Sequence, residues 1–274
     1  PHAYSAFHMT GLHYVTVSCV LIPAMTVLYF EQGGSRSGRK NGLIMLCALV
    51  SIAIPILCVS RFQLVFAVIL AVFTFCASQK NVSPWLFVAA VVALIPCYVL
   101  LTVARSHDVT YLNGIFEMKN SRMPIFVSQP YIYIANNYEN FDCLVKALPA
   151  HTWGIRMLFP VWALTGLKFL YPYLVSFPIY VDKTELTTVT LIYDAYYDFG
   201  IIGVLVFACI LGAVCFFLVE KLREMKNPMG YLFYGQMAIY MMLSFFTTWF
   251  SNPTTWFYFL VTAVLTFYCS VSRR

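Results

Sequence analysis

The sequence predicts an all-α polytopic membrane protein with about seven transmembrane helices and one long, partly helical extracytoplasmic loop. Composition is the first reason, because 61% of the 274 residues are hydrophobic and only 10% are charged, whereas about a quarter of the residues of a soluble domain are charged. The second reason is that the chain contains several apolar runs of about 20 residues each, the length that a helix needs to cross a bilayer. The same composition excludes a disordered chain, a coiled coil and a small disulfide-rich domain.

Seven apolar windows without a formal charge predict the membrane spans. They are Gly11–Phe30, Gly42–Val59, Leu64–Ser78, Pro84–Ala104, Phe199–Val219, Gly230–Phe250 and Trp256–Val271. The prolines Pro23, Pro55 and Pro96 lie inside windows. We expect kinks there rather than helix ends, because neighbouring helices in a membrane can satisfy the freed carbonyl groups.

The distribution of lysine and arginine predicts the orientation of these spans. The connections 31–41, 79–83 and 220–229 and the tail 273–274 together contain nine basic residues, whereas the short connections on the opposite side contain only Arg61. We therefore predict that the carboxyl terminus is cytoplasmic and that the long loop is extracytoplasmic.

Three regions follow from this arrangement. Residues 1–104 hold four predicted spans, residues 105–198 form the extracytoplasmic loop, and residues 199–274 hold three further spans. The stretch Met157–Ile179 is apolar, but it contains Lys168 and three prolines, so we interpret it as an interfacial or re-entrant segment of the loop. Because ordered loops longer than about 15 residues are usually functional, we expect the chemistry of the protein on the outer side.

Several function classes are excluded by residue pattern. The net charge of +6 does not indicate nucleic-acid binding, since the basic residues lie mostly between apolar runs rather than on one face of a soluble domain. Eight of the nine cysteines lie in apolar stretches, where they act as small hydrophobic residues. We find no metal-ligand spacing and no nucleotide-binding glycine motif, and we expect neither a metal nor a cofactor.

The loop segment Tyr131–Asp142 is dense in aromatic and amide side chains. This mixture suits carbohydrate, because flat rings cover the apolar face of a sugar while amides bond to its hydroxyl groups. Tyr138, Asn137 and Asn140 are the candidate sugar-binding residues. An interfacial belt of aromatic residues, with the asparagines in turns, is the alternative interpretation and remains open at this stage.

Two arginines at predicted outer turns are candidate ligands for an anion. Arg61 occupies a tight turn between consecutive spans, where positive-inside statistics disfavour it, and Arg105 ends a later span on the same side. A guanidinium group offers a fork of donors that matches phosphate oxygens. Arg122 of the loop is a third candidate. The alternative is that these side chains snorkel to lipid headgroups.

One pattern resembles a known family. The segment Thr184–Thr188, followed by Tyr193-Asp-Ala-Tyr-Tyr-Asp-Phe-Gly-Ile-Ile-Gly203, resembles the bacterial O-antigen and capsule polymerases of Wzy type, in which a threonine-rich stretch precedes Tyr-x-Asp-Phe-Gly-x-x-Gly at the start of a late transmembrane helix. The Ser60-Arg61 turn resembles the outward-facing Ser-Arg of that family, and Asn136–Phe141 resembles its Tyr/Asn/Phe loop motif. Together these motifs cover roughly residues 60–215.

The resemblance implies an enzyme that polymerises undecaprenyl-diphosphate-linked oligosaccharide repeat units at the outer face of the bacterial cytoplasmic (inner) membrane, without a metal. It implies a flippase and a chain-length regulator as partners besides membrane lipids, and it makes Arg61, Arg105 and Arg122 candidate diphosphate ligands. Relatives usually have several more spans at the amino end. Because this chain starts at Pro1 rather than Met, we expect that amino-terminal sequence is missing.

The implied reaction needs a group that accepts the proton of the acceptor hydroxyl. Glu185 and Asp194 flank the motif that resembles the family and are the preferred candidates, with His151 as the third. We expect a structural role for Asp198, because the dipole of a helix favours a carboxylate in its first turn.

Three alternative functions remain. An O-antigen ligase uses the same donor but transfers it to the lipid A core, and the Asp-Phe-Gly pattern favours the polymerase over it. A transporter or flippase for the same lipids usually carries ionisable groups inside its spans and internal repeats, which we do not find in this sequence. A purely structural membrane subunit is the third alternative.

Overall fold

The computed structural model describes residues 12–58, 60–79, 82–104, 109–222 and 224–272. Within these residues the regular secondary structure is helical, and no strand occurs among them. The predicted all-α class is therefore confirmed, and the chain is a polytopic membrane protein.

The chain divides into two compact units. The first unit comprises residues 1–108, 218–239 and 257–274, and the second unit comprises residues 109–217 and 240–256. The second unit therefore contains all the described residues of the predicted extracytoplasmic loop.

Apolar sequence forms the helices that begin in the first unit. They are α1 (Leu12–Val17), which continues through a 3₁₀ turn (Ser18–Leu21) into α2 (Ile22–Glu31), followed by α3 (Gly38–Leu57), α4 (Arg61–Ser78) and α5 (Trp85–Ala104). Helix α2 packs against α4. Ala24 of α2 and Ala67 of α4 are fully buried, and small buried side chains are usual where membrane helices pack closely.

The second unit is built from shorter helices and one long helix. They are α6 (Val109–Ile115), α7 (Ile125–Ala147), α8 (Phe159–Leu164), α9 (Leu167–Leu170), a 3₁₀ turn (Pro172–Val175) and the start of α10 (Tyr193–Leu222). Its core joins α7 to α10, because Leu144 packs with Val189, Tyr193 and Tyr197 in one buried cluster.

Two more helices complete the described chain: a 3₁₀ turn (Pro228–Gly230) leads into α11 (Tyr231–Met242), and a second 3₁₀ turn (Trp249–Ser251) precedes α12 (Pro253–Ser272). Among the described residues, five helical stretches are long and apolar enough to cross a membrane: His13–Glu31, Gly38–Leu57, Arg61–Ser78, Tyr193–Leu222 and Pro253–Val271. Helix α5 is a further apolar helix. Six of the seven predicted windows thus coincide with apolar helices.

The window Gly230–Phe250 differs from the prediction of one continuous span. Helix α11 ends at Met242, and residues 243–252 form turns and a 3₁₀ helix. The reason is that groups elsewhere in the second unit bind the backbone of this segment, since Asn137 Nδ2 donates to the Phe245 carbonyl oxygen at 2.6 Å. A hydropathy window averages over such contacts and cannot detect them.

The stretch Met157–Ile179 is not a continuous spanning helix, which confirms the negative part of its interpretation. It contains only α8, α9 and the 3₁₀ turn that Pro172 begins. Pro160 likewise lies in the first turn of α8, where its missing N–H group is not needed. The interfacial position of this stretch remains a prediction.

Candidate functional site

An open cleft of about 380 Å³ lies in the second unit, within the range of about 300–1,000 Å³ that is usual for small-molecule sites. Its charged lining residues are Arg156 and Asp194. The uncharged polar lining residues all lie between α11 and α12, namely Thr247, Thr248, Ser251 and Asn252. The apolar lining residues are Phe159, Val175, Phe177, Ile179 and Pro253.

Arg156 and Asp194 form a nearly buried ion pair in this cleft. Arg156 Nε donates to Asp194 Oδ1, and the two side chains are 14% and 5% exposed. Arg156 Nη1 also donates to the Pro178 carbonyl oxygen at 3.4 Å. The guanidinium carbon lies 5.2 Å from the ring centre of Tyr193 and 4.5 Å from that of Tyr197, within the cation–π range of about 6 Å. These contacts therefore hold the guanidinium group in the cleft before any ligand arrives.

The turn that carries Arg156 is held by Asp198. This carboxylate is fully buried and accepts hydrogen bonds from the Thr152 hydroxyl, from Arg156 N at 3.3 Å and from Met157 N at 2.7 Å. Asp198 thus has a structural role, although the sequence predicted it through the helix dipole. In the structure, Asp198 fulfils this role through its hydrogen bonds with the 152–157 turn. These bonds couple the position of Arg156 to α10.

The first glycine of the Asp-Phe-Gly-x-x-Gly pattern interrupts α10, and the second allows a close backbone approach beside that interruption. Gly200 has φ +63° and ψ −150°, a left-handed conformation that side chains other than glycine's rarely adopt. A Cβ atom on Gly203 would lie 2.4 Å from the Ala195 carbonyl oxygen, so only glycine allows this close approach. The pattern therefore separates a short helical segment, which carries Asp194 and Asp198, from the apolar remainder of α10.

The three predicted proton acceptors have different environments. Asp194 lines the cleft. His151 is exposed, and its Nδ1 lies 3.2 Å from the Tyr197 carbonyl oxygen, on the turn that leads to Arg156. Glu185 is exposed, and Thr184 Oγ1 donates to it at 3.1 Å. Of the three, only Asp194 belongs to the cleft lining.

Two of the three predicted sugar-binding residues are interior groups. Asn137 and Asn140 are fully buried. The amide oxygen of Asn137 accepts from Thr188 Oγ1 at 2.6 Å, and Asn140 Nδ2 donates to the carbonyl oxygens of Leu186 and Thr188 at 2.8 Å each. These amides hold the chain together, and their assignment as sugar-binding residues stays a prediction. Tyr138 is 58% exposed. This position suits both a sugar-binding residue and a member of an interfacial belt of aromatic residues.

Of the three predicted phosphate-binding arginines, the structure describes Arg61 and Arg122, and neither is among the cleft-lining residues. Arg61 begins α4 in the first unit. Arg122 is exposed in the second unit, before α7, and is not part of the cleft lining. Arg105 lies outside the described residues.

Sequence reasoning did not select Arg156, the arginine that does lie in the cleft. In the sequence, Arg156 is one of several basic residues of the predicted loop, and no motif distinguishes it from the others. The criterion that selected Arg61, an arginine on the outer side beside an apolar stretch, applies equally to Arg156 before Met157–Ile179. Its partner Asp194 is 38 residues away in the chain, so no local spacing reveals the pair.

Within the described residues, no group of three His, Cys, Asp or Glu side chains is placed to hold a metal ion. Comparison of the chain with protein-family models, curated proteins and solved structures gives no match.

Proposed function

We propose that this protein is a membrane glycosyltransferase that polymerises undecaprenyl-diphosphate-linked oligosaccharide repeat units at the outer face of the bacterial cytoplasmic membrane. The observation that carries the proposal is the Arg156–Asp194 ion pair in an open cleft. The resemblance of residues 184–203 to the Wzy-type polymerases supports the class of substrate.

The chemistry of Arg156 suits a diphosphate leaving group. When the bond between the anomeric carbon and the diphosphate oxygen breaks, the electron pair leaves with the diphosphate and negative charge develops on it. A guanidinium group that Tyr193, Tyr197 and the Pro178 carbonyl already hold in the cleft stabilises that charge when it exchanges its bond with Asp194 for bonds with the diphosphate. Its fork of donors also matches two phosphate oxygens at once.

The chemistry of Asp194 suits the acceptor sugar. The hydroxyl oxygen of the acceptor forms the new bond to the anomeric carbon, and its proton has to be removed as that bond forms. A carboxylate oxygen of Asp194 accepts the proton once Arg156 has turned its donors toward the diphosphate. Asp194 lines the cleft beside Arg156, so both roles fall within one site.

A genetic experiment tests the proposal. We expect a strain that lacks this protein to accumulate polysaccharide with a single repeat unit. Wild-type protein and the control variant Lys146→Ala, which changes an exposed cation of the same unit, should restore long polymer, whereas Arg156→Ala should not. Long polymer in the deletion strain, or with Arg156→Ala at a normal protein level, would overturn the proposal.

The proposal also requires the cleft to face the outside of the cell. In protein with Cys143→Ser, a thiol introduced by Tyr138→Cys at this 58% exposed position should react with a membrane-impermeant reagent in intact cells. Ser37→Cys, in the predicted cytoplasmic connection before α3, should react only after permeabilisation. The reverse pattern would place the cleft on the cytoplasmic side and contradict the proposal.

A further inference from the structure

The unwound segment between α11 and α12 is held in a fixed position. Residues 243–252 form turns and a 3₁₀ helix inside an otherwise apolar stretch. The amide of Asn137 donates to the Phe245 carbonyl oxygen at 2.6 Å, and Leu191 N donates to the Ser244 carbonyl oxygen at 2.7 Å. Irregular backbone in a membrane protein is tolerated where it is buried in protein or lines a water-filled cavity. Here it lines the cleft of Arg156.

This segment brings polar groups into the cleft. Thr247, Thr248, Ser251 and Asn252, which we call the polar wall, are partly exposed lining residues. Asn252 Oδ1 accepts from Thr254 N at 2.9 Å. In the part of the chain that the structure describes, no hydrogen bond joins the three hydroxyl groups of the wall to another residue. The wall therefore offers donors and acceptors that the fold itself does not use.

The chemistry of the wall favours an uncharged, hydroxyl-bearing ligand. Hydroxyl and amide groups both donate and accept, whereas an anionic ligand would need cations, and Arg156 is the one cation among the described residues that line the cleft. The rings of Phe159 and Phe177 line the same cleft and suit the apolar face of a sugar.

We propose that the polar wall binds the sugar hydroxyl groups of the lipid-linked repeat unit while Arg156 binds its diphosphate. This inference rests on the proposed function and assigns the residues that recognise the sugar. Asn137 then acts as a positioning residue for the wall rather than as a ligand of the sugar.

The test compares two probes on the purified full chain in detergent. One is undecaprenyl diphosphate, and the other is the undecaprenyl-diphosphate-linked repeat unit isolated from a strain that lacks the protein. The triple variant Thr247→Val/Thr248→Val/Ser251→Ala should bind the sugar-bearing lipid about tenfold more weakly, because three hydroxyl partners are lost. Its affinity for undecaprenyl diphosphate should stay within about twofold of wild type.

Two controls keep the result interpretable. Thr165→Val removes an exposed hydroxyl of the same unit that bonds only to its own helix, and it should change neither affinity. Thr247→Ser/Thr248→Ser retains the hydroxyl groups and should bind the sugar-bearing lipid like wild type. If the triple variant does not fold, Ser251→Ala alone should still weaken binding of the sugar-bearing lipid selectively.

The failures of the two proposals are distinguishable. If wild-type protein binds both lipids and the wall variants keep full affinity for the sugar-bearing one, or lose affinity for both lipids equally, the sugar-binding wall is overturned and the proposed function stands. If wild-type protein binds neither lipid, the proposed function fails and the sugar-binding wall fails with it.

Discussion

Two ion pairs of the second unit have similar chemistry but opposite surroundings. Lys146 and Asp142 lie one turn apart on α7, with side chains that are 73% and 54% exposed. Arg156 and Asp194 come from distant parts of the chain and are 14% and 5% exposed. Water and salt screen an exposed pair, which therefore contributes little to stability. Removal of one partner from a buried pair leaves an uncompensated charge and costs about 3–5 kcal/mol.

The difference indicates which pair has a function beyond stability. A buried pair is often no more stabilising than apolar side chains of the same volume, yet this one lies at an open cleft, stacked on Tyr193 and Tyr197. Charged groups with unusual surroundings in a cleft are typical of functional sites. The exposed pair on α7 provides the matched control, because it offers the same types of charge in the same unit.

The largest effect is expected from Asp194→Asn. Loss of the proton acceptor should slow glycosyl transfer by about 100-fold or more. Binding of undecaprenyl diphosphate should become about tenfold tighter, a change of about 1.4 kcal/mol, because the carboxylate no longer competes for Arg156. Asp142→Asn should change neither value. An unchanged rate of glycosyl transfer in Asp194→Asn would remove Asp194 from the mechanism. Weaker binding of undecaprenyl diphosphate would show that Arg156 does not exchange Asp194 for the diphosphate.

An intermediate effect, on thermal stability, is expected from a substitution at Gly203, beside the interruption of α10 that separates the segment carrying Asp194. The new Cβ atom in Gly203→Ala would meet the Ala195 carbonyl oxygen at 2.4 Å, and such overpacking typically costs about 1–3 kcal/mol. Gly212→Ala is the control in the same helix, because its new Cβ atom would meet no atom within 4 Å beyond its chain neighbours and its own stretch of helical backbone. Thermal unfolding in detergent should show a lower midpoint only for Gly203→Ala. Equal midpoints would mean that the close approach at Gly203 does not support the site.

The smallest effect is expected at the exposed pair. Its hydrogen bond with Asp142 raises the pKa of the Lys146 amine, so this amine is charged at neutral pH. Lys146→Ala and Asp142→Asn should nevertheless leave the unfolding midpoint and the polymer length unchanged, since exposed pairs are screened. A clear loss of polymer in either variant would show that burial does not distinguish the two pairs.

The sequence was sufficient to predict those parts of the fold that depend on composition alone. Long apolar windows predicted six helices, because length and hydropathy determine them. The end of α11 at Met242 could not be predicted, since it depends on contacts from Asn137 and Leu191, which are distant in sequence.

The candidate site was predicted only in part, for a similar reason. A motif selected Asp194, but its partner Arg156 stands 38 residues away without a local pattern. Amide side chains give the same sequence signal whether they bind a ligand or their own backbone, and Asn137 and Asn140 do the latter.

The central claim is that the guanidinium group of Arg156 stabilises the departing lipid diphosphate. Its most direct test is the rate at which purified protein releases undecaprenyl diphosphate from saturating lipid-linked repeat units, compared between wild type and Arg156→Lys. Lysine keeps the charge but lacks the fork of donors, so we predict a rate about 10- to 100-fold lower, with wild-type thermal stability. Release at the wild-type rate by Arg156→Lys would contradict the claim.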